Sequence, residues 1–201
     1  MDGRRARRVV NRQNILSVAR TMIDTDGVEK LSMRALAEKV GVSVATLYNL
    51  FETREAIVRA ALDQVLADIK PIVGSLEPRM TLGQICQSAV SISDIVFRAI
   101  SPSLLLAVMN DAANPREFFV EHHASDGIAP FLKQAQLDGE LSQTADLAEI
   151  STTFEAVVYS ASRFWAMELI NAEERNQRIH TGLKLALLAY ATPQGRTSLT
   201  D

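Results

Sequence analysis

The chain has 201 residues, 47% of them hydrophobic, and a formal net charge of −3; that length buries about 70% of its unfolded surface, so folding needs neither a disulfide nor a structural metal. One cysteine, Cys86, excludes an internal disulfide and any CxxC or four-ligand zinc signature, in keeping with a reducing cytoplasm. No uncharged apolar run approaches the ~18 residues of a membrane span, and the basic N-terminus leads into an amphipathic helix where a signal peptide would have an apolar core.

The charge is unevenly placed. Residues 1–60 carry 11 Lys/Arg against 7 Asp/Glu, a balance of +4, whereas residues 61–201 carry 10 against 17, a balance of −7. A basic end attracts a polyanion and an acidic remainder is repelled by it.

Residues 1–10 hold Arg4, Arg5, Arg7 and Arg8 with little that packs. They predict a disordered arm, which either adds phosphate and minor-groove contacts or serves only as a solubilising tail. A first helix follows from about Asn11 to Asp26, with Ile15, Leu16, Ala19, Met22 and Ile23 on its core side and Gly27 ending it.

Leu31 to Arg54 then reads as two short helices joined by a tight turn. Ser32 caps the first, Gly41 ends it in the left-handed conformation, and Ser43 caps the second only two residues later. That punctuation is a helix-turn-helix. At about 100° per residue Leu47 and Leu50 fall on one side of the second helix, and Val44, Ala45, Tyr48 and Asn49 on the other. The helix is expected to pack through Leu47 and Leu50 and to leave a small, mixed, uncharged face outward. Such a face, entered from a capped N-terminus, suits the DNA major groove.

Thr53 caps a fourth helix, Arg54 to about Ile69, with Ile57, Ala61, Leu62, Val65 and Ile69 in one stripe and Pro71 and Gly74 to stop it. Beyond the polar turn Ser75–Pro78 the pattern stays helical. Leu82, Ile85, Cys86, Ala89, Ser93 and Val96 form one stripe, Leu104–Met109 a short apolar helix after Pro102, and Glu117 to about Leu137 a helix kinked at Gly127 and Pro130 and closed by Asp138-Gly139. The last two helices run from about Ala145 to Leu169 and from Ala172 to Ala191. The second is apolar beyond one face, through Leu185, Leu188 and Ala189, so burial on more than one side is expected. Pairing both helices with their symmetry mates would make a four-helix homodimer interface; a monomeric core pair is the alternative.

The run Leu31-Ser32-Met33-Arg34-x-Leu36-Ala37-x-x-Val40-Gly41-Val42-Ser43-x-x-Thr46-Leu47-Tyr48-x-x-Phe51-x-x-Arg54-Glu55 resembles the DNA-binding domain of the TetR family of bacterial transcription regulators. The resemblance implies an all-α fold. Residues 1–60 would form a three-helix helix-turn-helix DNA-binding domain and residues 61–201 a helical ligand-binding and dimerisation domain, the linker helix belonging to both. It also implies a double-stranded DNA operator and a small-molecule inducer as partners.

Carried over by position, Arg34 is the side chain expected at a guanine edge, where Arg pairs bidentately. Val44 and Ala45 occupy base-reading positions but are apolar and can meet only thymine methyls. Ser32, Thr46, Tyr48 and Arg54 are expected at phosphates, and Asn49 at base or backbone. Leu50 stands where the family often has histidine, and Arg54 where lysine is usual.

The effector side is less legible. Ser93 interrupts an apolar stripe, either to meet a ligand or to bond back to the carbonyl one turn earlier. Met109, Phe118, Phe119, Phe154 and Trp165 either wall an apolar pocket or are ordinary core. The shortage of buried charge predicts a mainly hydrophobic ligand. Glu121, His122, His123 and Asp126 are read as surface groups, because adjacent histidines diverge by ~100° on a helix; no metal site is expected. Nor is a cofactor or catalytic residue. The nine glycines are scattered singly, with no phosphate-cradling loop or nucleophile elbow to support a rival helical-bundle enzyme. An architectural DNA-binding protein without an inducer is the other alternative.

Overall fold

Local capping sets most helix boundaries in the computed structural model, which describes residues 3–110 and 123–200, with side chains from Arg12 onward. The described elements are ten α-helices: α1 Gly3–Asp26, α2 Met33–Val40, α3 Val44–Phe51, α4 Arg54–Gly74, α5 Leu82–Ala99, α6 Pro102–Met109, α7 Ala124–Leu137, α8 Leu147–Ala166, α9 Ala172–Leu188 and α10 Pro193–Ser198. A 3-10 turn, Val28–Lys30, follows α1, and the only β pairing among the described residues is a single bridge between Leu141 and Ala191. The fold is all-α, as expected. No single described helix is long and apolar enough to cross a membrane.

Two helix boundaries in the N-terminal half differ from the sequence reading. The helix α1 begins at Gly3, so the stretch expected to be disordered has helical backbone; neither Gly nor Pro stands between Arg4 and Asp26 to interrupt it. And α4 continues through Pro71 to Gly74, although Pro71 has no N–H to give the carbonyl one turn back. Proline weakens that last turn without ending it, and Ser75 closes the helix by donating both its backbone N–H and its hydroxyl to the Ile72 carbonyl.

The chain divides into two compact units. The first holds α1 to Asp68 of α4, together with α6. Its core is Ile15, Ala19 and Ile23 of α1, Leu31, Leu36 of α2, Leu47 of α3, and Ile57, Ala61, Leu62 and Val65 of α4. Within it α6 packs on α1 and on the 3-10 turn, burying Leu104, Leu105 and Val108. The sequence placed the division after residue 60 and assigned α6 to the C-terminal part; the compact units divide at Asp68 and put α6 with the first.

The second unit holds Ile69–Ala99 and the chain from α7 onward. Leu82, Ile85 and Cys86 of α5 meet Leu132 and Ala135 of α7, Ile150, Phe154 and Ala161 of α8, and Ile179, Leu183 and Leu187 of α9 in one cluster. Glu140 is buried beneath it, its Oε2 accepting from the Leu82 N–H at 2.7 Å and from the Ser198 hydroxyl at 2.8 Å. That carboxylate caps the exposed amides of α5 and fastens α10 to them. Helix α8 stops at Ala166, short of the expected Leu169, because Glu168 turns left-handed at φ 58°. Helix α9 stops at Leu188, and α10 was not anticipated, although Thr192 accepting from the Gly195 N–H and Pro193 in the first turn make an ordinary helix start.

Candidate nucleic-acid interface

The predicted punctuation of the helix-turn-helix is what the structure contains. Ser32 Oγ accepts from the Ala35 N–H at 3.1 Å, and Gly41 ends α2 at φ 79°, a conformation a residue with a Cβ resists. The Gly41 and Val42 amides both return to the Ala37 carbonyl, at 2.9 and 3.0 Å. Ser43 Oγ accepts from the Thr46 N–H at 3.1 Å and lies 2.8 Å from the Thr46 hydroxyl. Thr53 Oγ1 in turn accepts from the Ala56 N–H at 3.0 Å and starts α4.

The inward face of α3 needs one correction. Leu47 is fully buried, but the second anchor is Phe51, at 4% exposure, while Leu50 is only half-buried. The reason lies outside the motif. Arg12 of α1 donates from Nη1 to the Leu50 carbonyl at 3.1 Å and lies over the Phe51 ring, its guanidinium carbon 4.4 Å from the centroid. Arg12 therefore holds the C-terminal end of α3, where carbonyls lack helical partners and a cation is favourable. Sequence reasoning missed this residue. Nothing local links positions 38 apart, and no periodicity signals the contact.

With both ends of α3 held, the outward side chains are left out of the folding contacts. Arg34, Ala45, Tyr48 and Asn49 are exposed, Tyr48 at 51%, and Val44 and Thr46 are half-buried beside them. Ser32 spends its acceptor capacity on the α2 cap and keeps its O–H for an outside acceptor. The Thr46 hydroxyl is shared with Ser43. Arg54 Nε sits 2.9 Å from Glu55 Oε1, so its charge is partly engaged. Glu55 is held below its ordinary carboxylate range by its own backbone N–H, with Arg54 adding to that against the opposing effect of burial. All eight residues expected at DNA thus fall between Ser32 and Arg54, on or beside the outer surface of α2, α3 and the start of α4.

The residues expected at a ligand are less unified. Ser93, Phe154 and Trp165 lie in the second unit, Met109 on α6 in the first, and Phe118 and Phe119 outside the described residues. Phe154 belongs to the core cluster. Trp165 is half-buried, its ring centroid 5.2 Å from that of Phe97. Ser93 is 7% exposed, and its Oγ has no hydrogen-bond partner among the described residues. It does not bond back along its helix, although Ser91 does so to the Gln87 carbonyl at 3.0 Å. Of the groups read as lying at the surface, Glu121 and His122 lie outside the described residues, and His123 Nδ1 is paired with Glu155 Oε1 at 2.9 Å. No group of three metal-ligating side chains occurs among the described residues.

Residues 15–61, which contain the helix-turn-helix, match the family model for bacterial regulatory proteins of the tetR family. This part of the chain is similar to the DNA-binding domain of that family. Over 66 residues this chain is 32% identical to an HTH-type transcriptional regulator of Saccharopolyspora erythraea, a match that covers 33% of this chain and 28% of that protein. The chain thus matches less than a third of that relative's length. Across the whole chain the likeness is one of fold. The full-length tylp structure, a TetR regulator from Streptomyces fradiae, has a TM-score of 0.64 at 17% identity, covering 96% of this chain and 90% of that one. SmeT in complex with triclosan has a TM-score of 0.64 at 20% identity, covering 92% and 94%. The family is one of DNA-binding transcription regulators, not of enzymes.

Proposed function

We propose that this chain is a homodimeric TetR-family repressor that binds a palindromic operator through α2 and α3 and releases it when a small, mainly hydrophobic molecule occupies the C-terminal part. The observation that carries the reading is the division of labour on α3. Ser43 and Arg12 hold its two ends, Leu47 and Phe51 hold its inner face, and Tyr48, Asn49 and Ala45 are exposed with Arg34 on the preceding helix. A helix held this way presents a preorganised edge to the major groove, with Arg34 for a guanine and Ser32, Thr46, Tyr48 and Arg54 for phosphates.

Dimerisation falls to α8 and α9. Phe164, Met167, Leu169 and Leu185 stand 39%, 45%, 61% and 63% exposed on or just beyond these two helices, more apolar surface than a solvated helix pair needs. A two-fold pairing of the same faces would cover it and set two reading helices at a fixed spacing. Helix α4 is the chain's connection from the DNA-reading end, taken as residues 1–60, to the effector and dimerisation part, residues 61–201. A ligand acts by binding the non-DNA-binding arrangement more tightly than the other, since only differential affinity shifts such an equilibrium. Triclosan, bound by SmeT, is a small-molecule precedent on the same fold.

The test is selection of bound duplexes from a random pool with the purified protein at physiological salt, followed by the winning duplex with Arg34→Ala and Tyr48→Ala. A palindrome with half-sites about one helical turn apart is expected, with Arg34→Ala weakening binding about 5- to 150-fold, equivalent to about 1–3 kcal/mol. Salt-sensitive binding with no enriched motif refutes the operator reading, and unchanged affinity in both variants refutes the assignment of the reading face.

A further inference from the structure

The second unit contains a buried cation that its surroundings use poorly. Arg175, in the second turn of α9, is 1% exposed. Its guanidinium carbon lies 4.5 Å from the Phe97 ring centroid and 5.1 Å from that of Trp165. Its Nε and Nη2 donate to Asn176 Oδ1 at 3.2 and 2.9 Å, a neutral acceptor. Its one acidic partner among the described residues, Asp94 on α5, is 3.3 Å away, beyond the 2.7–2.9 Å usual for a charge-assisted bond.

Asp94 is drawn elsewhere. Its Oδ2 sits 2.5 Å from Nη2 of Arg98, which is 81% exposed, and its Oδ1 is shared between Arg175 and the Asn176 amide at 3.2 Å. Among the described residues two arginines face one carboxylate, an excess of positive charge. Arg175 also stands near the positive end of α9, where a cation is disfavoured. Burial pulls the Arg175 guanidinium below its ordinary value, and Asp94 offsets that only in part; a guanidinium nonetheless stays charged.

A second underused group lies on the helix face that carries Phe97. Ser93 precedes Phe97 by four residues on α5, so the two share a helix face, and the Ser93 hydroxyl is more than nine-tenths buried without a partner among the described residues. A buried hydroxyl with no acceptor and a buried guanidinium with a stretched acceptor both cost free energy in the empty protein. One chemical group relieves both costs, a planar anionic acceptor.

We infer that Ser93, Phe97, Trp165 and Arg175 form a recognition site for an amphipathic carboxylate, whose charged end displaces the stretched Asp94 contact on Arg175 and accepts from Ser93 while its hydrocarbon body lies against the two rings. Asp94 remains neutralised by Arg98 after the exchange, so no acidic group is left buried without a cation. The inference rests on the effector reading above and narrows it: the ligand is hydrophobic in its body and anionic at one end. A neutral alcohol of the same shape accepts only one ordinary bond and leaves the guanidinium as it was.

Trp165 is the only tryptophan in the chain, so its emission reports on this site alone. The full-length protein is titrated with 4-phenylbutyrate and, separately, with 4-phenyl-1-butanol. The acid is expected to shift Trp165 emission saturably, with the alcohol at least tenfold weaker. Ser93→Ala is expected to weaken the acid severalfold, and Asp94→Asn to tighten it by removing the internal competitor, a gain that a merely structural role for Asp94 would not produce. Arg175→Met is expected to erase the preference for the acid; far-ultraviolet circular dichroism shows whether that variant is folded, and Ser93→Ala and Asp94→Asn decide the matter if it is not. Equal affinity for acid and alcohol, no saturable response to either, or unchanged acid affinity in both Ser93→Ala and Asp94→Asn overturns the inference. Operator binding measured on the same samples keeps the two readings apart: an intact operator complex with no acid preference overturns only this site, whereas a folded protein that selects no operator overturns the regulator reading.

Discussion

Replacing Gly182 with alanine sets two opposed effects against each other on the face where α9 meets α8. In an isolated helix the change is favourable by about 1 kcal/mol, because glycine is the poorer helix former. In this protein a Cβ on residue 182 would lie 2.6 and 2.7 Å from the two γ-methyls of Val157 and 3.2 Å from its Cβ. Carbon atoms pack at about 3.5–4.0 Å, so the shortfall is about 1 Å on two atoms at once. Valine in a helix is nearly confined to one rotamer, and turning it replaces one methyl with another, so the helices themselves must separate. Overpacking of this kind costs about 1–3 kcal/mol, which outweighs the propensity gain. The expected outcome is a net loss of about 1 kcal/mol and a fall in Tm of about 2–4 °C for a chain of this size, read by thermal and urea unfolding at one fixed protomer concentration, since association is linked to stability. Val157→Ala alone also destabilises, but with Gly182→Ala it should recover most of the loss, giving a favourable coupling of at least 1 kcal/mol in the double-mutant cycle. A rise in Tm for Gly182→Ala, with additive behaviour in the pair, would show that α8 and α9 do not approach through these residues.

Other consequences are as direct. Ser43→Ala removes the acceptor for the Thr46 N–H and should lower stability by about 1 kcal/mol, with faster hydrogen exchange at the first amides of α3; exchange unchanged there would mean the cap is not formed. Arg12→Met should loosen the opposite end, costing about 1 kcal/mol for the hydrogen bond and ring contact together, and weaken operator binding although Arg12 is not among the residues expected at DNA; full affinity would show that the C-terminal anchor of α3 is dispensable. Burial pushes the Cys86 thiol up to about 11, so native protein should resist alkylation at mildly alkaline pH and react once unfolded in urea; rapid native labelling would contradict its burial. Burial raises the Glu155 carboxyl, but hydrogen bonds from Ser125 and His123 prevail and hold it below its ordinary 4.5. A depressed folded value means that its contribution is present above pH 4.5 and is lost as pH falls through the lower value. Glu155→Gln should flatten that acid limb of the Tm-against-pH curve, and an identical limb in the variant would remove Glu155 from the account.

What could be read from the sequence follows the range of the interaction that decides each feature. Ser32, Gly41, Ser43 and Thr53 announced their helix boundaries because a cap is settled within three or four residues, and each cap stands where it was expected. The exposure of Arg34, Ala45, Tyr48 and Asn49 followed from the same short count of angles. The choice between Leu50 and Phe51 did not. Over eight residues both lie within reach of the inner face, and the decision is made by Arg12, which takes the Leu50 carbonyl and the Phe51 ring from a different helix. Thr192-Pro193 was a legible helix start, but a six-residue helix leaves too little periodicity to confirm one. The Arg175 cluster was out of reach for a plainer reason. Its partners Asp94 and Asn176 lie 81 residues away and next door, and neither spacing marks a site.

The two long-range arginines do comparable work from opposite sides of the domain division. Arg12 satisfies its surroundings: a carbonyl that needed a donor and an aromatic face that accepts a cation, both at the exposed end of a short helix. Nothing there calls for a ligand, and its role is to keep α3 in the shape that operator recognition requires. Arg175 has the same kinds of neighbour, an amide and aromatic rings, but it is buried, its carboxylate is stretched towards Arg98, and the hydroxyl of Ser93 on α5 has no acceptor among the described residues. A satisfied buried cation would be a fastening. One with a stretched carboxylate, packed on a ring that shares a helix face with an unpartnered donor, raises the free energy of the empty protein, and an anionic acceptor that serves both would be bound more tightly by that amount. Such binding moves the distribution between two arrangements of the chain only to the extent that the cluster differs between them.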